Sequence, residues 1–241
     1  MESIAYIILL TIGASFVQRT TGFGFGIFIM TSLPLLMPSY GEATALSGLL
    51  ALTTSATIAF KMRGHICWRR LIPILTTFII VSAAAICLLA RIHDNTLRRV
   101  LGIVLILTGI WFAFFKDRIR IGTGIPWQAG AGFLSGIMGG FFGMQGPPAV
   151  LYFISSEPSK EEYMAMTQTY FLIGNAMMTI VRGANGFVTA HVGKCWVFGL
   201  AGVAAGTLLG SWAFRKIPGK VFPYIVYSYI CISGVIILLT A

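Results

Sequence analysis

The sequence has few side chains that can carry acid–base or metal chemistry. Its 241 residues include only seven acidic side chains and three histidines, and charged residues make up 10% of the chain. These groups lie outside the apolar segments or at their edges, and none of them are spaced as metal ligands are. The phosphate-binding pattern G-x-x-x-x-G-K-[ST] does not occur either. We therefore expect no enzymatic activity, no metal, no cofactor and no ATP-driven pump within the chain.

The chain is instead rich in apolar residues and in glycine. Hydrophobic residues make up 57% of it and there are 28 glycines, with a mean hydropathy of +0.87. Soluble domains carry about 25% charged residues, so this composition predicts an all-α integral membrane protein in a lipid bilayer. The net charge of +10 comes from basic residues between the apolar segments. That placement is typical of positive-inside anchoring, and we expect no nucleic-acid partner.

Six apolar segments have the length of a single crossing, which needs about 20 residues. They are Ala43–Phe60, Leu71–Ala90, Val100–Phe115, Tyr163–Val181, Cys195–Phe214 and Val221–Ala241. Two further segments, Ser3–Gly41 and Ile121–Ser156, are nearly twice as long. Each is interrupted in its middle by clustered glycines, at Gly22–Gly26 and at Gly139–Gly143. The glycines predict a discontinuous or re-entrant helix in each long segment.

The long segments open two related halves, residues 1–120 and 121–241. At a shift of 119 positions several residues coincide: Gly13 with Gly132, Phe23–Gly24 with Phe142–Gly143, Glu42 with Glu161, and Arg63–Gly64 with Arg182–Gly183. Each half also carries an S-x-x-E helix-start signal, from Ser39 to Glu42 and from Ser159 to Glu162. We interpret this ordered series as an internal repeat, which is common in transporters.

The distribution of Lys and Arg discriminates between two topologies. If each long segment crosses once, eight crossings result and the basic loop residues divide nine to seven between the two sides. If each long segment is a re-entrant hairpin, six crossings result, the halves are inverted and the loops divide eleven to five. The positive-inside rule favours inverted halves, each a broken helix plus three spanning helices, with both termini outside. The eight-crossing arrangement and a mixed one with a single hairpin are the alternatives.

The breaks are the predicted binding site. Lipid tolerates unpaired backbone groups only where protein or a water-filled cavity satisfies them, and half-helix N-termini attract anions. Arg19 is the only formal charge deep within an apolar segment, and Arg suits oxyanions. The predicted substrate-binding residues are Arg19, Gln18, Thr20, Thr21, Gly22, Gly24, Gly26, Gly143, Gln145, Gly146, Gln168 and Asn175.

Two further arginines, Arg63 and Arg182, are equivalent in the repeat, and each is followed by glycine at a predicted helix end. A cation there favours the helix C-terminal dipole. We expect them to cap their helices, or alternatively to serve as a gate or anion entry. If the halves are inverted, Cys67 and Cys195 lie on opposite membrane faces, so a disulfide between them would contradict that topology.

The segment Gly22–Gly26, the run Gly132–Gly140 and the two related halves resemble the sulfite exporter TauE/SafE family of membrane permeases. The resemblance covers the whole chain. It implies transport of sulfite, sulfonates or related small organic anions across the bacterial inner membrane. We therefore predict a secondary transporter, in the direction of export, that works by alternating access around a midplane site. A passive anion channel on the same scaffold is the alternative, and a homodimer is a candidate assembly.

Overall fold

In the computed structural model, the described residues are 2–114, 122–213 and the single positions 232, 235, 238 and 239. Within these residues the protein is helical, with no strand. The helices are α1 (Glu2–Thr21), α2 (Phe25–Ile29), α3 (Leu33–Leu36), α4 (Tyr40–Lys61), α5 (Trp68–Leu89), α6 (Asp94–Phe114), α7 (Ile125–Phe142), α8 (Gly146–Ser156), α9 (Lys160–Ala184) and α10 (Ala190–Ala213). Helices α4, α5 and most of α10 are long and apolar enough to cross a membrane.

Five of the predicted single crossings coincide with α4, α5, α6, α9 and α10. The sixth, Val221–Ala241, lies almost wholly outside the described residues. Both S-x-x-E signals start helices as expected, with the serine as N-cap. The hydroxyl of Ser39 accepts from the backbone N–H of Glu42 at 3.2 Å, and that of Ser159 accepts from Glu162 at 3.1 Å. These bonds satisfy N–H groups that the first turn of a helix leaves unpaired.

Helices α1 and α10 run parallel because glycines on α10 allow close approach. A methyl group at Gly202 would lie 2.7 Å from the carbonyl oxygen of Ile8, and one at Gly210 would lie 2.9 Å from Cβ of Arg19. The contact therefore advances in the same direction along both helices. Small residues four apart bring helix backbones together in membranes.

Helices α5 and α7 form a second parallel pair of the same kind. A methyl group at Gly132 would lie 2.5 Å from the carbonyl oxygen of Ile74, and one at Gly136 would lie 2.8 Å from Cβ of Val81. Farther along α7, Gly140 faces Ala85. The Gly132-x-x-x-Gly136 spacing therefore serves close helix packing.

Helices α4 and α9 lie side by side and run in opposite directions. Gly41, near the start of α4, lies against Phe187, just past the end of α9. Toward the other end of α4, the Gln18 amide donates to both Ser55 of α4 and Gln168 of α9, at 3.2 Å each. These antiparallel helices contribute the polar wall of the site described below.

Helices α7 and α8 form a hairpin. The amide of Gln128 in the first turn of α7 donates to the Tyr152 hydroxyl of α8 at 2.9 Å. At the end of α8, the Arg70 guanidinium donates to the Ser156 carbonyl at 3.0 Å and to the Glu157 carboxylate at 2.9 Å. Arg70 lies in the first turn of α5, and α5 runs parallel to α7. Helix α8 therefore returns to the end of the molecule from which α7 starts.

The first half contains a similar reversal after α1. A methyl group at Gly13 of α1 would lie 2.6 Å from the ring of Phe28 in α2. Tyr40, the first residue of α4, donates its N–H to Asp94 at the start of α6 at 2.9 Å. Gly41 also contacts Phe187, which lies just before α10 begins. Helix α4 therefore starts at the end of the molecule where α10 starts. Because α1 is parallel to α10, α1 starts at this end too, and the chain from α2 to Tyr40 returns to it.

Candidate anion site between two broken helices

The first break separates α1 from α2 at Gly22–Gly24. Gly22 has φ +82° and Gly24 has φ +93°. In this left-handed region a side chain is disfavoured, so only glycine adopts it without strain. The left-handed residues turn the chain out of α1, and α2 starts at Phe25.

The second break separates α7 from α8. Helix α7 ends at Phe142, its C-cap residue Gly143 has φ +67°, and α8 begins at Gly146. Pro147 and Pro148 follow in the first turn of α8, where their fixed φ favours helix initiation. Proline has no N–H, so this helix N-terminus presents fewer backbone donors than a half-helix usually does. Side chains must therefore supply most of the hydrogen-bond donors here.

The two breaks meet inside the helix bundle. Gly26 of α2 lies directly against the carbonyl oxygen of Gly143, and Gly146 lies near the ring of Phe23. A small cavity lies between them. The polar side chains that line the cavity are Gln18, Ser55, Gln145 and Asn175.

A chain of amides holds the first break in place. Gln168 of α9 donates to the Gly22 carbonyl at 2.7 Å, and its side-chain oxygen accepts from Gln18 at 3.2 Å. Gln168 is fully buried and Gln18 is 2% exposed. Because a buried carbonyl without a partner is costly, this network compensates for the backbone hydrogen bonds that the break removes.

A second amide pair joins α9 to the other break. Gln145 donates to the side-chain oxygen of Asn175 at 2.9 Å. The Gln145 carbonyl accepts from the Ser135 hydroxyl, which in turn accepts from Tyr170 at 2.7 Å. The amide nitrogen of Asn175 is buried and has no hydrogen-bond partner in the described structure. It is thus an unpartnered donor on a residue that lines the cavity.

The structure brings most of the predicted site residues together. Those that line the cavity are Gln18, Gly24, Gly26, Gly143, Gln145, Gly146 and Asn175. Gln168 and Gly22 bond each other without lining the cavity. The Thr20 hydroxyl donates within its own helix, to the carbonyls of Phe16 and Val17. Thr21 ends α1, and its side chain is not among those described.

Arg19 is directed to another part of the bundle. It lies in the last turn of α1, and its Nε donates to the Ser211 hydroxyl of α10 at 2.8 Å. Adjacent residues of a helix point about 100° apart. Since Gln18 faces the cavity, Arg19 faces α10 and does not line the cavity.

Arg63 and Arg182, which the predicted repeat pairs with each other, have different surroundings. Arg63 is exposed, in a short 3-10 turn after α4. Arg182 is fully buried, and its Nη2 donates to the carbonyls of Gly139 at 2.8 Å and Gly140 at 3.2 Å. These carbonyls belong to the last turn of α7, so Arg182 caps α7 rather than its own helix.

Helix α9 carries a regular spacing of three polar residues, of which only Gln168 and Asn175 are predicted as binding residues from the sequence. Gln168, Asn175 and Arg182 are seven residues apart, a spacing that places side chains on one face of a helix. Gln168 bonds the first break, Asn175 bonds the second, and Arg182 bonds the end of α7. The spacing was visible in the sequence, although its third member was interpreted only as a helix end.

Two broken helices that meet within a bundle of apolar helices, around a cavity lined by amides, are the arrangement in which membrane transporters bind their substrates. In the described part of the chain, no cluster of His, Cys, Asp or Glu could hold a metal ion. The family model "Sulfite exporter TauE/SafE" matches residues 7–237, and the chain belongs to this family.

The chain is also similar to a bacterial exporter. A protein of Cupriavidus necator with the name "Probable sulfite/organosulfonate exporter TauE" is 26% identical over 214 residues, which cover 87% of this chain and 82% of the relative. No solved structure gives a significant match.

Proposed function

We propose that the protein is a secondary transporter that exports a small oxyanion of sulfur, sulfite or an organosulfonate, by alternating access around the cavity. The observation that carries this proposal is the buried, unpartnered amide nitrogen of Asn175, a residue that lines the cavity between the two breaks. The name of the Cupriavidus necator relative supports the substrate class. Transporters commonly bind substrates where two discontinuous helices meet near the membrane midplane.

The chemistry of the cavity wall favours an anion over a cation. The polar side chains on the wall are amides and a serine hydroxyl, and no carboxylate is among its lining residues. Amide N–H groups and hydroxyls donate to oxyanions, whereas a desolvated cation needs carboxylate or several carbonyl oxygens. Arg19 as a direct ligand of the anion stays a prediction, since its guanidinium bonds Ser211.

We further propose that the halves, residues 1–120 and 121–241, are inverted repeats. In this assignment α1 corresponds to α7, α4 to α9 and α5 to α10. Three observations support it: α4 and α9 are antiparallel, α1 and α10 are parallel, and α5 and α7 are parallel. A two-fold axis in the membrane plane relates such helices. The hairpins α1–α2 and α7–α8 would then enter from opposite sides.

The same proposal fixes the orientation in the bacterial inner membrane. The loop before α5 carries Arg63, and Arg69 follows in the first turn of α5, so the positive-inside rule assigns this end to the cytoplasm. Both termini would then be outside. Cys67, at that loop, and Cys195, in α10, are both free, which is consistent with opposite faces. A homodimer stays a prediction.

Cysteine labelling tests the orientation. His65 and His93 are exposed in the loops at opposite ends of α5. In a background without native cysteines, we expect an impermeant maleimide added to intact cells to label His93→Cys and not His65→Cys. Permeabilised cells, in which both positions should react, are the control. Labelling of His65→Cys from outside would contradict the orientation.

Ligand-dependent stabilisation tests the substrate class. A ligand that binds the native state raises the melting temperature by mass action, and about 100-fold saturation stabilises by about 2.7 kcal/mol. We expect sulfite or a small alkylsulfonate to stabilise the detergent-purified protein at matched ionic strength, and chloride to have no such effect. The proposal would be contradicted if all sodium salts raised the melting temperature equally, or if no sulfur oxyanion raised it.

A further inference from the structure

Arg182 of α9 reaches the end of another helix. Its side chain is fully buried, and its Nη2 donates to the carbonyl oxygens of Gly139 at 2.8 Å and of Gly140 at 3.2 Å. Both carbonyls belong to the last turn of α7, and the carbonyls of a last turn have no N–H partner within their own helix. The guanidinium therefore meets the negative end of the α7 dipole.

The last turn of α7 leads directly into the second break. The carbonyl oxygen of Gly139 also accepts from the N–H of Gly143 at 3.0 Å, and the N–H of Met144 donates to the carbonyl of Met138 at 3.1 Å. Both Gly143 and Met144 line the cavity. Arg182 and the cavity wall are therefore bonded to the same oxygen atom, that of Gly139.

Helix α9 bonds the second break on both of its sides. Arg182 bonds the last turn of α7, which precedes the break, and Asn175 accepts at 2.9 Å from Gln145, which lies within it. Seven residues separate Asn175 from Arg182, so both lie on one face of α9. The Gly143 carbonyl in turn lies against Gly26 of α2. A displacement of the α7 end would therefore move the contact between the two breaks.

The burial of Arg182 is unfavourable for folding. In the described structure its Nε and Nη1 are buried without hydrogen-bond partners, and the ion pairs found there do not include it. Replacement of buried ionic groups by apolar side chains of similar volume is often neutral or stabilising. Stability alone thus does not explain an arginine at this position, whereas a bond that sets the position of α7 does.

We propose that Arg182 is a positioning residue for anion binding. It does not touch the transported anion, and it fixes the end of α7 so that Gly143 and Gln145 hold the cavity wall in its binding geometry. A binding site works only while supporting contacts hold its groups to within about 0.5 Å. The inference rests on the proposed function and deepens it, because it names a residue outside the cavity on which anion affinity depends.

Arg182→Met tests this role because methionine is unbranched, apolar and unable to donate. We expect this variant to raise the half-saturating sulfite concentration in the thermal-shift measurement about tenfold, since a hydrogen bond from a charged group is lost. Arg182→Lys keeps a charged donor for the α7 carbonyls, so it should bind sulfite more tightly than Arg182→Met. Arg182→Gln, which is neutral and shorter, should resemble Arg182→Met and replaces it if that variant does not fold.

Amide hydrogen exchange without sulfite separates positioning from an effect of charge alone. The N–H groups of Gly143 and Met144 bond the end of α7, so the segment 139–146 should exchange faster in Arg182→Met than in the unaltered protein. Exchange of α6 should not change. A role of Arg182 through its charge alone would leave the exchange of 139–146 unchanged, and a general loss of stability would speed exchange in α6 as well.

The matched control makes the same change on the exposed surface. Arg99 is exposed on α6. Arg99→Met should leave both the half-saturating sulfite concentration and the exchange of the segment 139–146 unchanged.

The outcomes separate this inference from the proposed function. If the unaltered protein and Arg182→Met bind sulfite equally well, the positioning role is refuted while the transport proposal stands. The same holds if Arg182→Lys binds sulfite no better than Arg182→Met, or if the exchange of 139–146 is unchanged or rises only together with that of α6. If no sulfur oxyanion stabilises the unaltered protein, the proposed function fails and this inference fails with it.

Discussion

Gly26→Ala is expected to abolish transport although it adds only one methyl group. That methyl would clash with the carbonyl oxygen of Gly143 and would lie 3.5 Å from Cα of Met144. Both neighbours are backbone, so neither can rotate away as a flexible side chain could. Relief requires the two breaks to separate, and overpacking of this kind typically costs about 1–3 kcal/mol. Sulfite flux in proteoliposomes, normalised to inserted protein, measures the effect.

Gly130→Ala is the matched control for this variant. Gly130 lies on the exposed face of α7, and a methyl there would meet nothing within 4 Å. Alanine is the better helix former by about 1 kcal/mol, so this variant should be at least as stable as the unaltered protein and should transport normally. Equal flux in Gly26→Ala and Gly130→Ala would show that contact between the two breaks is not needed for transport.

Asn175→Asp is expected to stop anion binding with almost no change in shape. Asn175 is 1% exposed, and its side-chain oxygen accepts from Gln145. A carboxylate can accept the same bond, but it replaces the free amide donor with a negative charge on the cavity wall. Two like charges 4 Å apart repel by about 4 kcal/mol at an effective dielectric constant of 20. We therefore expect at least about a 100-fold loss of sulfite affinity.

The control for this variant uses the same chemical change on the surface. Asn95 is exposed in the first turn of α6, where a negative charge is favourable to the helix dipole. Asn95→Asp should bind sulfite like the unaltered protein. Comparable affinities for Asn175→Asp and the unaltered protein would place the anion away from the cavity.

Helix positions followed from the sequence because each signal is local. The length of the apolar segments predicts α4, α5 and α10. The S-x-x-E patterns predict the starts of α4 and α9, because the serine bonds a backbone N–H only three residues away. Glycine clusters inside over-long apolar segments marked both breaks. Left-handed φ values at Gly22, Gly24 and Gly143 are the physical reason why these clusters interrupt the helices.

Helix partners could not be derived in the same way. The glycine spacing on α7 and α10 indicates close packing, but it does not name α5 and α1 as the neighbours. That choice depends on three-dimensional complementarity between helices distant in the sequence. Contact between Gly26 and Gly143 likewise depends on how the whole bundle assembles.

The depth of an arginine within an apolar segment does not predict whether its side chain is buried or faces the cavity. Arg19 is central in its segment, but the helix continues through it and turns its side chain toward Ser211. Arg182 is near the end of α9, where an exposed cap is expected. It is buried because α4 packs against this part of α9 and because the chain folds back over it, with the Phe187 N–H donating to its carbonyl at 3.0 Å.

The central claim is that one anion binds in the cavity between the breaks and is carried across the membrane. Counterflow of sulfite in proteoliposomes tests this claim most directly. Vesicles loaded with unlabelled sulfite should take up labelled sulfite faster than empty vesicles. This uptake should saturate, and Asn175→Asp should lose it. Flux that neither saturates nor responds to sulfite on the opposite side would indicate a channel. Counterflow that persists unchanged in Asn175→Asp would contradict the proposed site.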